Sequence, residues 1–250
     1  MGAKNRGGGG VDVCAFRLRP VQEDAVQAVR AMWGSGQRRA LLVRPTGVGK
    51  TITALEAVRR TVTKSPTARV LWLAHREELV TQPLATVQGL DHFEAVADVA
   101  GLVRGSAEDY GARVVFTSVQ TMAHRAAKYL EAGPTSLIVV DEAHHYVPGR
   151  TWGDVALGIA GADEDGAGGC YVLGLTATPE RADSVRLSMM WGPLPAFSIS
   201  LQEAIDGGYL VPPVFHHRPM DVGAELAEAI DLANSEEGDD EDAALAAELL

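Results

Sequence analysis

The chain has 250 residues, of which 46% are hydrophobic and 22% charged, so it is long enough to bury a full core as one large domain. It contains no run of about 18 apolar residues, and its N-terminal segment is polar and glycine-rich, so we expect neither a membrane span nor a secretory signal. Cys14 and Cys170 are too few for a disulfide framework or a thiolate zinc site, and they suit a reducing cytoplasm, where we expect the protein to reside.

The formal net charge of −11 is concentrated in the C-terminal part of the chain. Residues 221–250 hold 11 of the 33 acidic residues and no Lys or Arg, so the rest of the chain is close to neutral. Because like charges repel and such a composition cannot bury a core, we predict a partly disordered acidic tail over 221–250. We predict a flexible leader over 1–15 and one folded domain over 16–220.

The first predicted elements are a helix, which opens with the residues 18–22 and runs to about Met32, and a strand over 40–43. Proline suits the first turn of a helix, and the apolar residues of this segment recur at helical spacing. Gln22 lies off that apolar stripe, so we expect it to be exposed. Its amide offers the donor and acceptor pair that matches an adenine edge.

The loop that follows this strand has the pattern of a phosphate-binding loop. Its residues are Arg44, Pro45, Thr46, Gly47, Val48, Gly49, Lys50 and Thr51. Glycines let backbone N–H groups close around phosphate oxygens, and the N-terminus of the next helix adds its positive dipole end. Lys50 would contact the outer phosphates and Thr51 would ligate a magnesium ion. The alternative is a purely structural turn, and the usual first glycine of the pattern is replaced by Arg44.

Strand and helix patterns then alternate, which predicts an α/β fold with a mostly parallel sheet and helices on both faces. Strands are predicted over 70–74, more weakly over 95–100, and over 113–117. Polar residues follow the first and last of these, at the sheet edge where such folds place ligands. Short polar side chains there can bind phosphates without reading bases, and helix capping is the alternative.

A further apolar strand over 137–140 ends in Asp141 and Glu142. Asp141 is predicted to hold magnesium, and Glu142 to align and deprotonate the water that attacks the terminal phosphate. A structural pair of carboxylates at a strand end is the alternative. His144 and His145 have no matching ligand set for zinc at suitable spacing.

The strand over 171–175 ends in hydroxyl side chains. Thr176 and Thr178 follow it, and we expect them to hydrogen-bond the carboxylates and His144. Such bonds would report the state of the phosphate to the protein surface.

With these motifs the chain resembles superfamily 2 helicases and translocases of the DEAD/DEAH-box type, in particular the group with type III restriction helicase subunits and Rad25-like DNA repair helicases. The resemblance is carried by seven segments, namely LRPVQ (18–22), PTGVGKT (45–51), LAHREEL (73–79), TSVQT (117–121), DEAHH (141–145), LTATPER (175–181) and AIDGGYL (204–210). This family commonly has another residue at the position of Arg44.

The resemblance implies a RecA-like P-loop NTPase domain that uses ATP and Mg²⁺. It places Arg19 and Gln22 at the adenine. It assigns His144, Thr176 and Thr178 to coupling between the ATP site and the nucleic-acid site. It assigns five residues to the nucleic-acid strand, namely His75, Arg76, Thr117, Ser118 and Gln120.

Nothing after Pro213 resembles the second RecA-like domain of such helicases, so we expect a second domain or subunit as a partner, with DNA rather than RNA as the nucleic acid. Three hypotheses remain open. The chain is the ATP-hydrolysing half of a helicase, or an ATP- and nucleic-acid-binding regulatory module, or an unrelated P-loop enzyme such as a kinase.

Overall fold

The computed structural model describes residues 16–76, 78–146, 148–161, 169–177 and 184–214, with no side-chain detail for 184–187. Its compact body ends at Leu210. The predicted leader over 1–15, the predicted tail over 221–250 and Thr178 lie outside the described residues, so the domain boundaries remain predictions.

Within the described residues, eight strands form one sheet in the order β4-β3-β5-β2-β6-β7-β1-β8. The strands are β1 (Arg39–Val43), β2 (Val70–Ala74), β3 (Ala100–Arg104), β4 (Ala107–Glu108), β5 (Val114–Ser118), β6 (Leu137–Asp141), β7 (Tyr171–Thr176) and β8 (Phe197–Ser198). Every pairing is parallel except the short antiparallel pair β3–β4. The predicted mostly parallel sheet is confirmed.

Helices connect the strands. They are α1 (Pro20–Gly34), α2 (Lys50–Lys64), α3 (Glu78–Gly89), α4 (Glu94–Ala97), α5 (Val119–Glu131), α6 (Thr151–Ala160), α7 (Ser184–Trp191) and α8 (Leu201–Asp206). Short 3₁₀ turns cover Asp91–Phe93 and Ala143–His145. In the part of the chain that the structure describes, no helix is long and apolar enough to cross a membrane.

Alternate residues of the central strands enter two separate hydrophobic clusters. Leu42 of β1 and Trp72 of β2 lie in the cluster that α1 to α4 cover, whereas their neighbours Leu41 and Leu71 lie in the cluster with α5 and α6. Successive strand residues point to opposite faces of a sheet, so this distribution requires a covered layer on each side. Helices on both faces are therefore confirmed.

The predicted strand over 95–100 is wrong for most of its length. The chain is helical from Glu94 to Ala97, and β3 begins only at Ala100. Burial explains the shift, because Phe93 and Val96 enter the core from helical turns rather than from an extended segment. The strand itself, β3, begins at Ala100, where its pairing with β5 begins.

Gly174 in β7 provides a test of how tightly the sheet packs. A Cβ added there would lie 2.6 Å from the ring of Trp191, which is fully buried. We expect Gly174→Ala to lower the free energy of unfolding by about 1–3 kcal/mol, because the buried ring would have to shift to admit the added methyl group. Denaturant unfolding measures the change.

Gly158→Ala in α6 is the matched control, since a Cβ at that exposed position meets nothing within 4 Å. This control should be neutral or slightly stabilising. A Gly174→Ala protein as stable as the control would contradict the tight packing.

Candidate nucleotide-binding site

The carboxyl ends of β1, β7 and β6 lie side by side. Val43 pairs with Thr176, Leu175 pairs with Asp141, and the backbone N–H of Arg44 donates to the Thr176 carbonyl at 2.9 Å. The phosphate loop after β1 and the two carboxylates after β6 therefore share one edge of the sheet, as the sequence predicts.

The phosphate loop needs two glycines for its shape. Gly47 and Gly49 have φ of 88° and 85°, in the left-handed region that residues with a Cβ rarely adopt. Gly49 directly precedes α2, and a Cβ on it would lie 2.3 Å from Nε2 of Gln22. Thr46 and Gly47 are exposed while Val48 is buried, so the backbone of the loop tip faces solvent above an apolar anchor.

Lys50 and Thr51 begin α2 and are half-buried. The Lys50 ammonium donates to the Arg44 carbonyl at 3.1 Å and so folds back over the loop. Burial lowers the pKa of Lys50, and the nearby carboxylates of Glu142 and Asp141 partly oppose that shift. These positions suit an ammonium that contacts phosphate oxygens and a hydroxyl at the helix N-terminus.

The prediction that Gln22 is exposed is wrong, because the side chain is buried. Its Oε1 accepts from the backbone N–H of Arg19 at 2.8 Å, and its Nε2 lies against Gly49. Gln22 is buried because α1 contacts the phosphate loop, and the helical spacing of apolar residues does not predict that contact. Arg19 is exposed, and its guanidinium donates to the Tyr209 carbonyl at 3.4 Å. The adenine roles of both residues remain predictions.

Asp141 and Glu142 occupy different environments at the end of β6. Asp141 is buried, whereas the Glu142 side chain is partly exposed at 28%. Burial, with a further contribution from Glu142, raises the pKa of Asp141 to about 6. Glu142 adopts φ 52° and ψ 54°, the one left-handed non-glycine conformation among the described residues. Strained backbone of this kind is held where the surrounding structure fixes a side chain for a task.

The raised pKa of Asp141 gives a prediction for metal-free protein. A carboxyl whose pKa is higher in the fold than in the unfolded chain stabilises the fold when protonated, and that stability is lost as pH rises from about 4 through about 6. We therefore expect Asp141→Asn to raise the free energy of unfolding at pH 7.5 by roughly 3 kcal/mol, with the gain vanishing near pH 4. Urea unfolding across that pH range measures it.

Asp24→Asn on the exposed side of α1 serves as the matched control and should change stability by less than about 0.5 kcal/mol. An Asp141→Asn protein that is less stable than wild type at every pH would contradict the assignment.

Of the contacts predicted for Thr176, the one with His144 is present. His144 Nδ1 lies 3.0 Å from the Thr176 hydroxyl and 3.3 Å from Glu142 Oε2. One imidazole thus joins the end of β7 to the carboxylate proposed as the base. The coupling role of His144, Thr176 and Thr178 remains a prediction.

The candidate nucleic-acid residues gather at the ends of β2 and β5, next along the same edge, because Ala74 pairs with Ser118. Arg76 and Gln120 are exposed, and the Gln120 amide donates to the His75 carbonyl at 2.9 Å. Ser118 caps α5 by accepting from the Thr121 N–H at 3.1 Å, so the capping alternative describes one function of this residue.

Thr117 departs from the expectation for a nucleic-acid contact. It is fully buried, and its hydroxyl donates to the Val103 carbonyl at 2.8 Å. In this structure the hydroxyl joins β5 to β3 and is not available at the surface. The sequence reasoning missed this because strand-end position alone does not distinguish an outward hydroxyl from one turned toward a neighbouring strand.

A group of rings connects the two halves of this edge. The centroids of His75 and His145 lie 5.0 Å apart, and the Trp152 ring of α6 lies 5.7 Å from His75 and 5.3 Å from His145. Burial, and then the charge of Arg76, lowers the pKa of His75. The sequence pattern gave no sign of Trp152, which reaches this edge only through the packing of α6.

The residues at the edge fit a magnesium ion. Asp141 has no ion-pair partner among the described residues, and the Thr51 hydroxyl stands in the first turn of α2. Within the described residues, no three His, Cys, Asp or Glu side chains form a closed cage. One carboxylate and one hydroxyl are the open donor set that magnesium uses together with water and phosphate.

A cavity of about 970 Å³ lies elsewhere, between the C-terminal halves of α1 and α2 and the beginnings of β6 and β7. Trp33, Lys64 and Tyr171 are among its lining residues. It is at the opposite end of the strands from the phosphate loop and shares no residue with the candidate site.

A parallel sheet with these two motifs at one edge has the arrangement of a restriction-enzyme and helicase-like ATPase domain. The model of the family described as "Type III restriction enzyme, res subunit" matches residues 15–181, and the chain belongs to that family. The resemblance found in the sequence is thereby confirmed.

One curated relative is the endonuclease subunit of the type I restriction enzyme EcoKI from Escherichia coli (strain K12). It is 35% identical over 134 residues, which cover 51% of this chain and 11% of that protein. The chain therefore spans about a tenth of the length of this relative.

Two solved structures share the fold. One is a nuclease-deletion mutant of the Type ISP restriction-modification enzyme LlaGI in complex with a DNA substrate mimic. The match covers 87% of this chain and 22% of the LlaGI chain, with a TM-score of 0.56 and 18% identity. The other is the Pyrococcus furiosus Hef helicase domain. The match covers 85% of this chain and 48% of the Hef chain, with a TM-score of 0.57 and 22% identity. The predicted RecA-like architecture is confirmed by these likenesses.

Proposed function

We propose that this chain is the ATP-binding and ATP-hydrolysing part of a DNA helicase or translocase, acting with a second RecA-like domain. The observation that carries the proposal is the meeting of the Lys50 loop with Asp141 and Glu142 at one sheet edge. The family membership and the DNA substrate mimic bound to the LlaGI enzyme support it.

In this proposal each residue of the edge has one task. Lys50 holds the outer phosphates, and Thr51 and Asp141 hold the magnesium ion, which supplies charge compensation for the phosphates. Glu142 orients the attacking water and accepts its proton. His144 transmits the state of Glu142 to β7 through its contact with Thr176.

The nucleic-acid strand would lie over the ends of β2 and β5. Arg76 is exposed there, with no described carboxylate in ion-pair range, so its charge is available to a phosphate group. His75, Ser118 and Gln120 would add hydrogen bonds to the strand, and such contacts fix its register without reading its sequence.

The alternative is a regulatory module that binds ATP and nucleic acid without useful hydrolysis. A measurement of ATP hydrolysis separates the two, made with and without single-stranded DNA and a protein that supplies a second RecA-like domain. We expect DNA to stimulate hydrolysis when the second domain is present, because the arginines of that domain contribute about 10³ to 10⁵ in rate. Binding of ATP and DNA without hydrolysis in the full mixture would favour the regulatory module.

A further inference from the structure

Arg44 replaces the first glycine of the phosphate-loop pattern, and the structure buries it completely. Its guanidinium donates to the Val48 carbonyl at 3.0 Å through Nη2 and to the Thr53 hydroxyl through Nη1. The first bond holds the loop at the buried Val48, and the second holds the first turn of α2. Arg44 therefore joins the loop to the helix from beneath.

The charge of Arg44 has no counter-ion among the residues that the structure describes. No described carboxylate lies within ion-pair distance of the guanidinium, whose Nε is buried without a hydrogen-bond partner. The guanidinium carbon lies over the Phe197 ring, 5.9 Å from its centroid. Burial, and then the charge of Arg19, lowers the pKa of Arg44 to about 10, so the group remains cationic at neutral pH.

A buried charge without a counter-ion is expensive, and a ligand of opposite charge would offset that cost. Hydrogen bonding alone does not require this residue at this position. Arg69 shows the purely structural case, because its guanidinium is bonded to the carbonyls of Tyr110, Tyr129 and Gly133 at the other end of the strands. Arg44 differs by lying under a loop whose backbone is shaped to hold an anion.

We propose that Arg44 is a positioning residue of the phosphate loop, and that the phosphates of the bound nucleotide are the counter-ion of its buried charge. Arg44 does not touch the phosphates in this arrangement, because its Nη atoms are occupied by Val48 and Thr53. It acts through the shape of the loop and through its charge. The loop should then favour nucleotides by phosphate charge, with triphosphate above diphosphate and diphosphate above monophosphate. This inference rests on the proposed ATP binding.

The test compares two substitutions of Arg44 in the full chain. Arg44→Gln removes the charge and keeps an amide donor, whereas Arg44→Lys keeps the charge and loses the two-pronged donor. Calorimetry with magnesium and ATP, ADP or AMP gives the affinities, inorganic tripolyphosphate serves as a probe without a base, and thermal unfolding without ligand gives the intrinsic stability.

We expect Arg44→Gln to lose about tenfold in ATP affinity, less in ADP affinity and least in AMP affinity, because the lost attraction scales with phosphate charge. Without nucleotide, the same variant should melt at or above the wild-type temperature, since an uncompensated buried charge is gone. Arg44→Lys should keep the wild-type ratio of ATP to AMP affinity within about threefold.

Arg69→Gln is the matched control, as a buried arginine remote from the loop. It should lower the melting temperature and leave the ratio of nucleotide affinities unchanged. If Arg44→Gln behaves like this control, or weakens all three nucleotides equally, Arg44 is a structural support only and the inference is wrong.

Several further outcomes are decisive. If Arg44→Gln does not fold, the expected stability without nucleotide is refuted. If Arg44→Lys then loses the wild-type ratio of ATP to AMP affinity, the proposed role of the charge in nucleotide binding is refuted as well. If Lys50→Ala loses ATP while Arg44→Gln keeps full affinity, this inference alone falls. If neither ATP nor tripolyphosphate binds the wild type, the proposed function falls with it.

Discussion

Replacing Lys50 with alanine should reduce Mg-ATP affinity by roughly a hundredfold or more, which calorimetry would record as loss of binding. The ammonium makes charge-assisted hydrogen bonds of about 1.5–3 kcal/mol each, and two of them to phosphate oxygens account for this loss. Among the described residues, the hydrogen-bond acceptor of the Lys50 ammonium is the Arg44 carbonyl. The residue therefore has a better partner available when a phosphate is bound.

The fold should tolerate this substitution. Burial lowers the pKa of Lys50, which means that the protein holds the ammonium at a cost in the absence of ligand. Removing it should leave the free energy of unfolding unchanged or slightly higher. Lys64 stands exposed in the last turn of the same helix, and Lys64→Ala is the matched control with wild-type affinity expected. Equal ATP affinity in the two variants would refute the phosphate role of Lys50.

The elements nearest to the site were predictable from sequence because their signals are local. Four consecutive apolar residues before Asp141 define a strand, and glycines beside a Lys–Thr pair define a loop that opens a helix. Parallel pairing then aligns the carboxyl ends of those strands, so the shared edge follows from the alternation of strand and helix alone.

What the sequence did not reveal depends on contacts between distant segments. Gln22 is buried because α1 packs beside the phosphate loop, although its helical position marks it as exposed. The Thr117 hydroxyl turns toward β3, a neighbour that its own strand pattern does not identify. A buried arginine such as Arg44 also has no local signature, since burial of its charge is decided by α2 and the loop together.

The left-handed backbone of Glu142 belongs to the same group of features. No propensity predicts a glutamate at φ 52°, and the conformation persists because the flanking residues fix it. The Glu142 N–H donates to Asp141 Oδ1 at 3.0 Å, and the Glu142 carboxylate lies 3.3 Å from His144 Nδ1. These contacts hold the side chain in the partly exposed position that a base acting on water requires.

Glu142→Gln should therefore separate binding from hydrolysis. The amide keeps the length and the contact with His144 but no longer accepts a proton, so ATP affinity should stay within about threefold of wild type. Hydrolysis should fall by about 10² to 10⁴, which is the usual contribution of general-base catalysis. The measurement is steady-state ATP turnover of this chain mixed with a second RecA-like domain and single-stranded DNA, because turnover without that domain should be slow.

Glu94→Gln supplies the control, since Glu94 is an exposed carboxylate in the first turn of α4 and has no contact with the sheet edge. Both variants should bind ATP, and only Glu142→Gln should lose turnover. If both turn over ATP at the wild-type rate, Glu142 only ends a strand, and its strained conformation has no catalytic task. In that case hydrolysis would need a base from another residue, and the chain would act as a binding module rather than as a catalytic half.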